Sequence, residues 1–142
     1  MFSLFYVKNS RNIMNRKSKK RGVGYTRPDL GVYIRSRWEA NYFRILQHQK
    51  TQGIIQDFQY EPLTFWFESI KRGTRHYTPD FLVVLPDGTH YFVEIKGFMD
   101  TVSNTKLKRM AKYYPNEQII VIDEEVYRKI EKEWREKVDV WE

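Results

Sequence analysis

Residues 77–97 read Tyr-Thr-Pro-Asp-Phe-Leu-Val-Val-Leu-Pro-Asp-Gly-Thr-His-Tyr-Phe-Val-Glu-Ile-Lys-Gly. Two runs rich in β-branched and aromatic residues, 77–85 and 89–96, flank Pro86-Asp87-Gly88, which predicts an antiparallel hairpin closed by a turn. A three-residue loop pairs Leu85 with Thr89, and the same register sets Asp80 opposite Glu94. Facing Cβ atoms on such a pair lie about 4.5–5.5 Å apart. Alternation puts Lys96 on the face of Glu94 and turns Ile95 into the opposite, buried face. Like charges set opposite each other weaken a strand pair, and a hard divalent cation removes that conflict. Mg²⁺ favours carboxylate and carbonyl oxygens and needs few protein ligands. Asp80, Glu94 and the backbone carbonyl of Ile95 supply three. Lys96, beside these acids, can orient or help deprotonate a water, or offset charge on a phosphorane-like transition state.

Working outward toward the N-terminus, residues 36–50 predict a helix. Trp38, Tyr42, Ile45, Leu46 and Gln49 follow the 3.6-residue period, Ser36 suits the N-cap, and Gly53 stops it. Glu39 precedes Tyr42, Phe43 and Leu46 by three, four and seven residues, so it lies on the core-facing side. A carboxylate there is costly unless paired or bound to a cation. It is the candidate for a fourth ligand or for holding a second ion. Residues 54–60 and 63–67 predict strands, broken at Glu61-Pro62, where Glu61 reads as structural or solvated.

Beyond the hairpin, residues 103–114 predict a helix with Leu107, Met110, Ala111 and Tyr114 as its apolar stripe and Lys106, Lys108, Arg109 and Lys112 away from it. Residues 118–122 make a short buried strand, and Asp123 caps a last helix carrying Val126, Ile130 and Trp134. The order helix, three strands, helix, strand, helix predicts an α/β (α+β) fold: a mixed sheet with helices packed on it.

Charge is spread unevenly along the 142 residues. Of 25 Lys and Arg, ten lie in residues 1–37 with a single acid, Asp29; the remainder, with 15 bases and 17 acids, is nearly neutral. The expected organisation is a basic arm over residues 1–33 and one folded domain over residues 34–142, with Met1 or Met14 as the start. Residues 9–28 are too polar to fold alone. Such an arm on a neutral body reads as a contact for a polyanion, most often nucleic acid. Arg16, Lys17, Lys19, Lys20 and Arg21 in the arm, with Arg35, Arg37, Arg75, Lys106, Lys108, Arg109 and Lys112, are the candidates for phosphate contacts. The absence of cysteine excludes a disulfide scaffold, a thiolate zinc site and a cysteine nucleophile. No apolar run reaches the roughly 20 residues of a membrane span, nor does a secretory signal follow the apolar start, so the expected location is the cytoplasm. No small-molecule cofactor or membrane partner is expected.

Taken singly, Pro-Asp and Glu-x-Lys are short strings, and Glu-x-Lys on a strand is ordinarily a solvated face or an ion pair. Their combination, with an inward glutamate on the preceding helix and a basic helix after, is far more specific. Pro79-Asp80 followed by Glu94-Ile95-Lys96 resembles the PD-(D/E)xK nuclease superfamily, over about residues 35–122. Within it, Arg35-Ser36-Arg37-Trp38-Glu39, the run Tyr77 to Leu82, Val93 to Gly97 and Tyr113-Tyr114-Pro115 are most similar to the short phage junction-resolving enzymes of the endonuclease I type. Archaeal-type Holliday junction resolvases share the pattern more loosely. The stretch 63–71 and the last helix have no clear counterpart.

The resemblance implies a restriction-endonuclease-like core and a Mg²⁺- or Mn²⁺-dependent endonuclease that hydrolyses DNA phosphodiesters, leaving 5′-phosphate and 3′-hydroxyl ends. In it Glu39, Asp80 and Glu94 are metal ligands and Lys96 is catalytic. It also implies a homodimer acting on branched DNA such as a four-way junction. The rival readings are a sequence-specific restriction-like, homing or nicking endonuclease, and a non-catalytic DNA-binding module with a degenerate site.

Overall fold

The computed structural model describes residues 24–142. In chain order the elements are β1 (Tyr25–Arg27), β2 (Val32–Ile34), α1 (Arg37–Thr51), β3 (Asp57–Tyr60), β4 (Phe65–Trp66), β5 (His76–Tyr77), β6 (Phe81–Val84), β7 (His90–Ile95), α2 (Thr101–Tyr113), β8 (Ile119–Ile122) and α3 (Glu124–Trp134). The fold is mixed α+β. Its main sheet has the order β3-β6-β7-β8, with β3, β6 and β7 antiparallel and β8 parallel to β7. Counting only the helices and the strands of the main sheet, the order is helix, three strands, helix, strand and a final helix, as the sequence pattern predicts; β1–β2 and β4–β5 form two small additional sheets.

The β6–β7 hairpin has the expected register, with Phe81 facing Val93 and Val84 facing His90. Gly88 makes this possible. It sits at φ 85°, a left-handed conformation that a residue with a Cβ adopts only under strain. Leu85 N–H then donates to Thr89 O (2.8 Å), and Asp87 Oδ1 accepts from both Thr89 N–H and its hydroxyl.

Strand alternation divides the core into two layers. On one face of the sheet, Phe81, Val83, Val93, Ile95 and Ile122 pack with Leu46 of α1 and with Tyr127, Ile130 and Trp134 of α3. On the other, Leu82, Phe92 and Ile119 meet Phe65 and Tyr77 of the small β4–β5 sheet, Phe67 just after β4, and Met110 of α2. Ser36 caps α1 as expected, accepting from Glu39 N–H (3.2 Å). Asp123 does the same for α3 through Val126 N–H (2.9 Å).

Several elements differ from the sequence expectation. The run 77–85 is not one strand: Pro79, which has no N–H for a ladder, separates β5 in the small sheet from β6 in the main sheet. Helix α2 starts earlier because Asp100 caps it, accepting from Ser103 N–H (2.7 Å). Its Ala111 is exposed rather than part of the stripe, and Ser103 is buried. The strand expected at 54–60 is shorter, although Ile55 is buried in the core.

The largest difference lies in residues 24–33, expected as the end of a basic arm. They belong instead to the folded unit as most of the β1–β2 hairpin. Arg27 is 1% exposed and donates to Ile34 O and to both carboxylate oxygens of Glu142. Arg44, buried in α1, spans from Asp29 (2.8 and 3.0 Å) to Glu142 (3.1 Å) and Asn41 (3.0 Å). Two arginines and two carboxylates thus tie the hairpin, the central helix and residue 142 together. Arg16, Lys17, Lys19, Lys20 and Arg21 lie outside the described residues.

Candidate active site

Asp80 stands just before β6, where the antiparallel ladder reaches the end of β7. Its backbone is held on both sides: its N–H donates to Val93 O (3.0 Å), and its carbonyl accepts from Glu61 N–H (2.7 Å). Its side chain, 4% exposed, accepts from Ile95 N–H at Oδ2 (2.7 Å). Lys96 N–H turns the opposite way, to Ile122 O on β8. The carbonyl of Ile95 lies on the same strand edge as its own N–H, the edge that Asp80 occupies.

Glu94 lies on the sheet face shared with Phe92, and its Oε2 accepts the hydroxyl of Tyr77 (2.8 Å). Tyr77 reaches it from β5, because the inner face of the small sheet packs over this end of β7. Glu39 comes from the first turn of α1 and is 6% exposed, its backbone N–H capped by Ser36. That position places a carboxylate at the favourable, positive end of the helix dipole.

The electrostatics record how close these acids are. Burial pushes the Asp80 carboxyl well above its ordinary range, and the neighbouring Glu94 and Glu39 push it further, while the Ile95 N–H pulls it back. Glu94 is also raised by burial, against the stabilising Tyr77 hydroxyl and the Lys96 and Lys106 ammonium groups. Tyr60, beside the cluster, is pushed up to about 12, by burial first and then by Glu39.

Lys96 adjoins Glu94 and leans toward Asp100 (3.7 Å). Lys106 lines a small recess with Tyr77, Glu94, Met99, Ser103 and Leu107. Neither Tyr77 nor Lys106 stands out at the site from the sequence: Tyr77 reads as one more apolar strand residue, and Lys106 as part of an outer basic face.

Arg35 covers the opposite side of the cluster. Its Nη2 lies 2.8 Å from Glu61, 3.3 Å from Asp80 and 3.7 Å from Glu39. Glu61, read from sequence as structural or solvated, therefore joins the site through Arg35. It also holds φ 47°, the one left-handed non-glycine residue among those described, while its N–H donates to Asp80 O. The strand-ending Glu-Pro pair was its only sequence signal.

Among the described residues, no three His, Asp or Glu side chains are placed so that together they could hold a metal ion. Asp80 faces Arg35 and the Ile95 amide, and Glu94 faces Tyr77. The donor chemistry, carboxylate oxygens with a strand carbonyl on the same edge, is of the kind a hard cation takes, although Arg35 already supplies positive charge to Asp80 and Glu39. Asp80, Glu94 and Glu39 are the side chains that would supply the carboxylates.

The expected phosphate-contact residues divide. Arg37, Arg75, Lys108 and Lys112 are exposed, as that role requires. Arg109 is half-buried and donates to Thr74 O, tying α2 to the 71–75 turn, and Arg35 and Lys106 sit at the acid cluster. Of the histidines, His48 packs edge-on against Trp134 and His90 pairs with Glu117 (2.8 Å).

A mixed-sheet domain with an acidic cluster at the junction of β6, β7 and α1 is the class that fold and site define. The chain belongs to the DUF1064 family, described as a protein of unknown function, whose model matches residues 29–137. No curated protein matches it.

Proposed function

We propose that the protein is a metal-dependent DNA endonuclease, selective for branched DNA such as a four-way junction. The observation that carries the reading is geometric: Arg35 Nη2 lies 3.3 Å from Asp80 and 3.7 Å from Glu39, and the β6–β7 register sets Asp80 across from Glu94, with Lys96 two residues further along the strand. The order helix, three strands, helix, strand supports assignment to the PD-(D/E)xK nuclease core. Asp80, Glu94 and Glu39 would hold Mg²⁺ or Mn²⁺, with the Ile95 carbonyl as a further oxygen. When bound, the ion supplies a Lewis acid that activates water and offsets charge on the phosphate.

The chain's own residues do the rest. Tyr77 fixes the orientation of Glu94 by donating to one of its oxygens. The Ile95 amide fixes Asp80 in the same way. Lys96 presents a positive donor beside Glu94, positioned to hold a nonbridging phosphate oxygen or to steady the attacking water. Arg37, Lys108 and Lys112, with the basic residues 16–21, would grip the backbone without reading bases, which suits selection by DNA shape. Cleavage of both strands at a junction calls for a homodimer.

The test is cleavage of a synthetic four-way junction beside a linear duplex of matched sequence, in Mg²⁺ and in Mn²⁺, with and without chelator. Symmetric cuts near the branch that vanish with chelator and in Asp80→Asn, while binding persists, are expected. Preferential cutting of the linear duplex would instead favour a restriction-like, homing or nicking enzyme. One observation favours a non-catalytic DNA-binding module: Arg35 already balances Glu39, Glu61 and Asp80 without a metal. A wild-type protein inert in both metals would establish that reading.

A further inference from the structure

The β4–β5 hairpin has two unlike faces. Inward, Phe65 and Tyr77 form a cross-strand pair buried against Phe92 and Met110. Outward, Trp66 and His76 form the next pair, their rings 5.0 Å apart. Trp66 is 55% exposed, the most exposed of the four tryptophans. The connection between the strands carries Lys71, Arg72 and Arg75, all exposed, and none makes an ion pair among the described residues. One acid, Glu68, accompanies them.

This hairpin is braced. Tyr114 Oη donates to Trp66 O (2.7 Å), Ser69 Oγ donates to Tyr113 Oη (2.7 Å), and Thr64 and Thr78 share a hydroxyl contact (2.7 Å). A large aromatic surface is thus held out to solvent beside exposed cations, on the element whose Tyr77 bonds Glu94. The cations suit a polyanion. The ring adds something a phosphate backbone alone cannot use, a flat partner for another ring. In a continuous duplex the bases are stacked on each other, so a protein ring meets a base face only where stacking is interrupted.

We infer that the outer face of the β4–β5 hairpin is a stacking platform on which Trp66, backed by His76, receives an unpaired base next to the site, while Lys71, Arg72 and Arg75 hold the adjoining phosphates. The inference rests on the nucleic-acid reading above and deepens it. It narrows that reading: among branched DNAs, those with an unpaired nucleotide at the branch are preferred over a fully paired four-way junction.

The experiment measures binding of the full chain in chelator, by fluorescence anisotropy, to a duplex with a single-stranded flap and to the matched duplex without one. Trp66→Ala is expected to weaken flap binding about tenfold and to leave duplex binding unchanged, with Trp66→Phe retaining most of the affinity. Wild-type protein on a flap whose branch nucleotides are abasic should lose the same factor, a result that does not depend on how any variant folds. Equal losses on flap and duplex, or an abasic flap bound as tightly as the natural one, would overturn the platform. Wild-type cleavage in Mg²⁺ is scored separately. A protein that cuts but ignores the missing base refutes the platform alone, and one that senses the base but never cuts refutes the nuclease alone.

Discussion

Asp80 is placed under opposing demands: its environment withholds solvent and adds two neighbouring carboxylates, yet the ligand role proposed for it needs it ionised. The sign of the consequence follows. A carboxyl with a raised pKa in the folded state favours folding fully below its unfolded value of about 4, and this contribution is lost as the pH rises through the elevated folded value. Without metal, this group should therefore lower the melting temperature as pH is raised, and Asp80→Asn should melt above wild type at pH 8; a variant no more stable there would show that the cluster imposes no strain. Arg35 is the counterweight. Replacing it in Arg35→Gln removes the cation that competes for Asp80 and Glu39, so the Mn²⁺ concentration at half-maximal binding in calorimetry should drop several-fold. An unchanged midpoint would mean that the guanidinium and the ion do not share a location. These pairings were invisible in the sequence, because Arg35 and Glu61 lie in separate elements and nothing in either local pattern points to the other. By contrast, Asp80, Glu94 and Ile95 were legible, since the alternation of one hairpin fixes where each side chain goes.

The β6–β7 hairpin could be read at the element level because its turn leaves little choice: a three-residue loop ending in a left-handed glycine admits one register. The neighbouring β5–β6 boundary could not. Apolar residues continue through it, and only the missing N–H of Pro79 marks the passage from one sheet to another. That boundary is what lets Tyr77 approach Glu94 from a separate element rather than along the same strand. Partners that orient a ligand typically contribute about 10–100-fold in affinity or activity. Tyr77→Phe keeps the ring in its apolar layer and deletes the hydroxyl, so cleavage should fall about tenfold or more while the melting temperature changes little. A loss of folding with no separate effect on rate would assign Tyr77 to packing alone.

For the molecule as a whole, residues 24–33 show where composition misleads. A stretch that continues a lysine- and arginine-rich run reads as solvated, but Arg27, its single base, meets Glu142 across 115 positions of sequence, a distance no local pattern spans. Removing one partner of a buried ion pair typically costs about 3–5 kcal/mol. Arg27→Met should lower unfolding stability by roughly that amount in urea titrations; a loss below about 1 kcal/mol would show that the lock is ornamental. Both Asp29 and Glu142 are held below their ordinary range, by hydrogen bonds from Arg44 and Arg27 respectively, so their contribution is present above about pH 4 and disappears on acidification. The basic stretch before Gly24 is a different matter: deleting residues 1–23 should weaken DNA binding and flatten its salt dependence, by close to one unit of log–log slope for each phosphate no longer neutralised. An identical slope would remove that stretch from the interface. No helix among the described residues is long and apolar enough to cross a membrane. Finally, α1 is buried without interruption from Glu39 to Leu46. Amides so enclosed exchange with deuterium only when the entire domain opens. Glu39 thus stands on an enclosed helix, so the exposed Arg35 is the member of the cluster with most room to move.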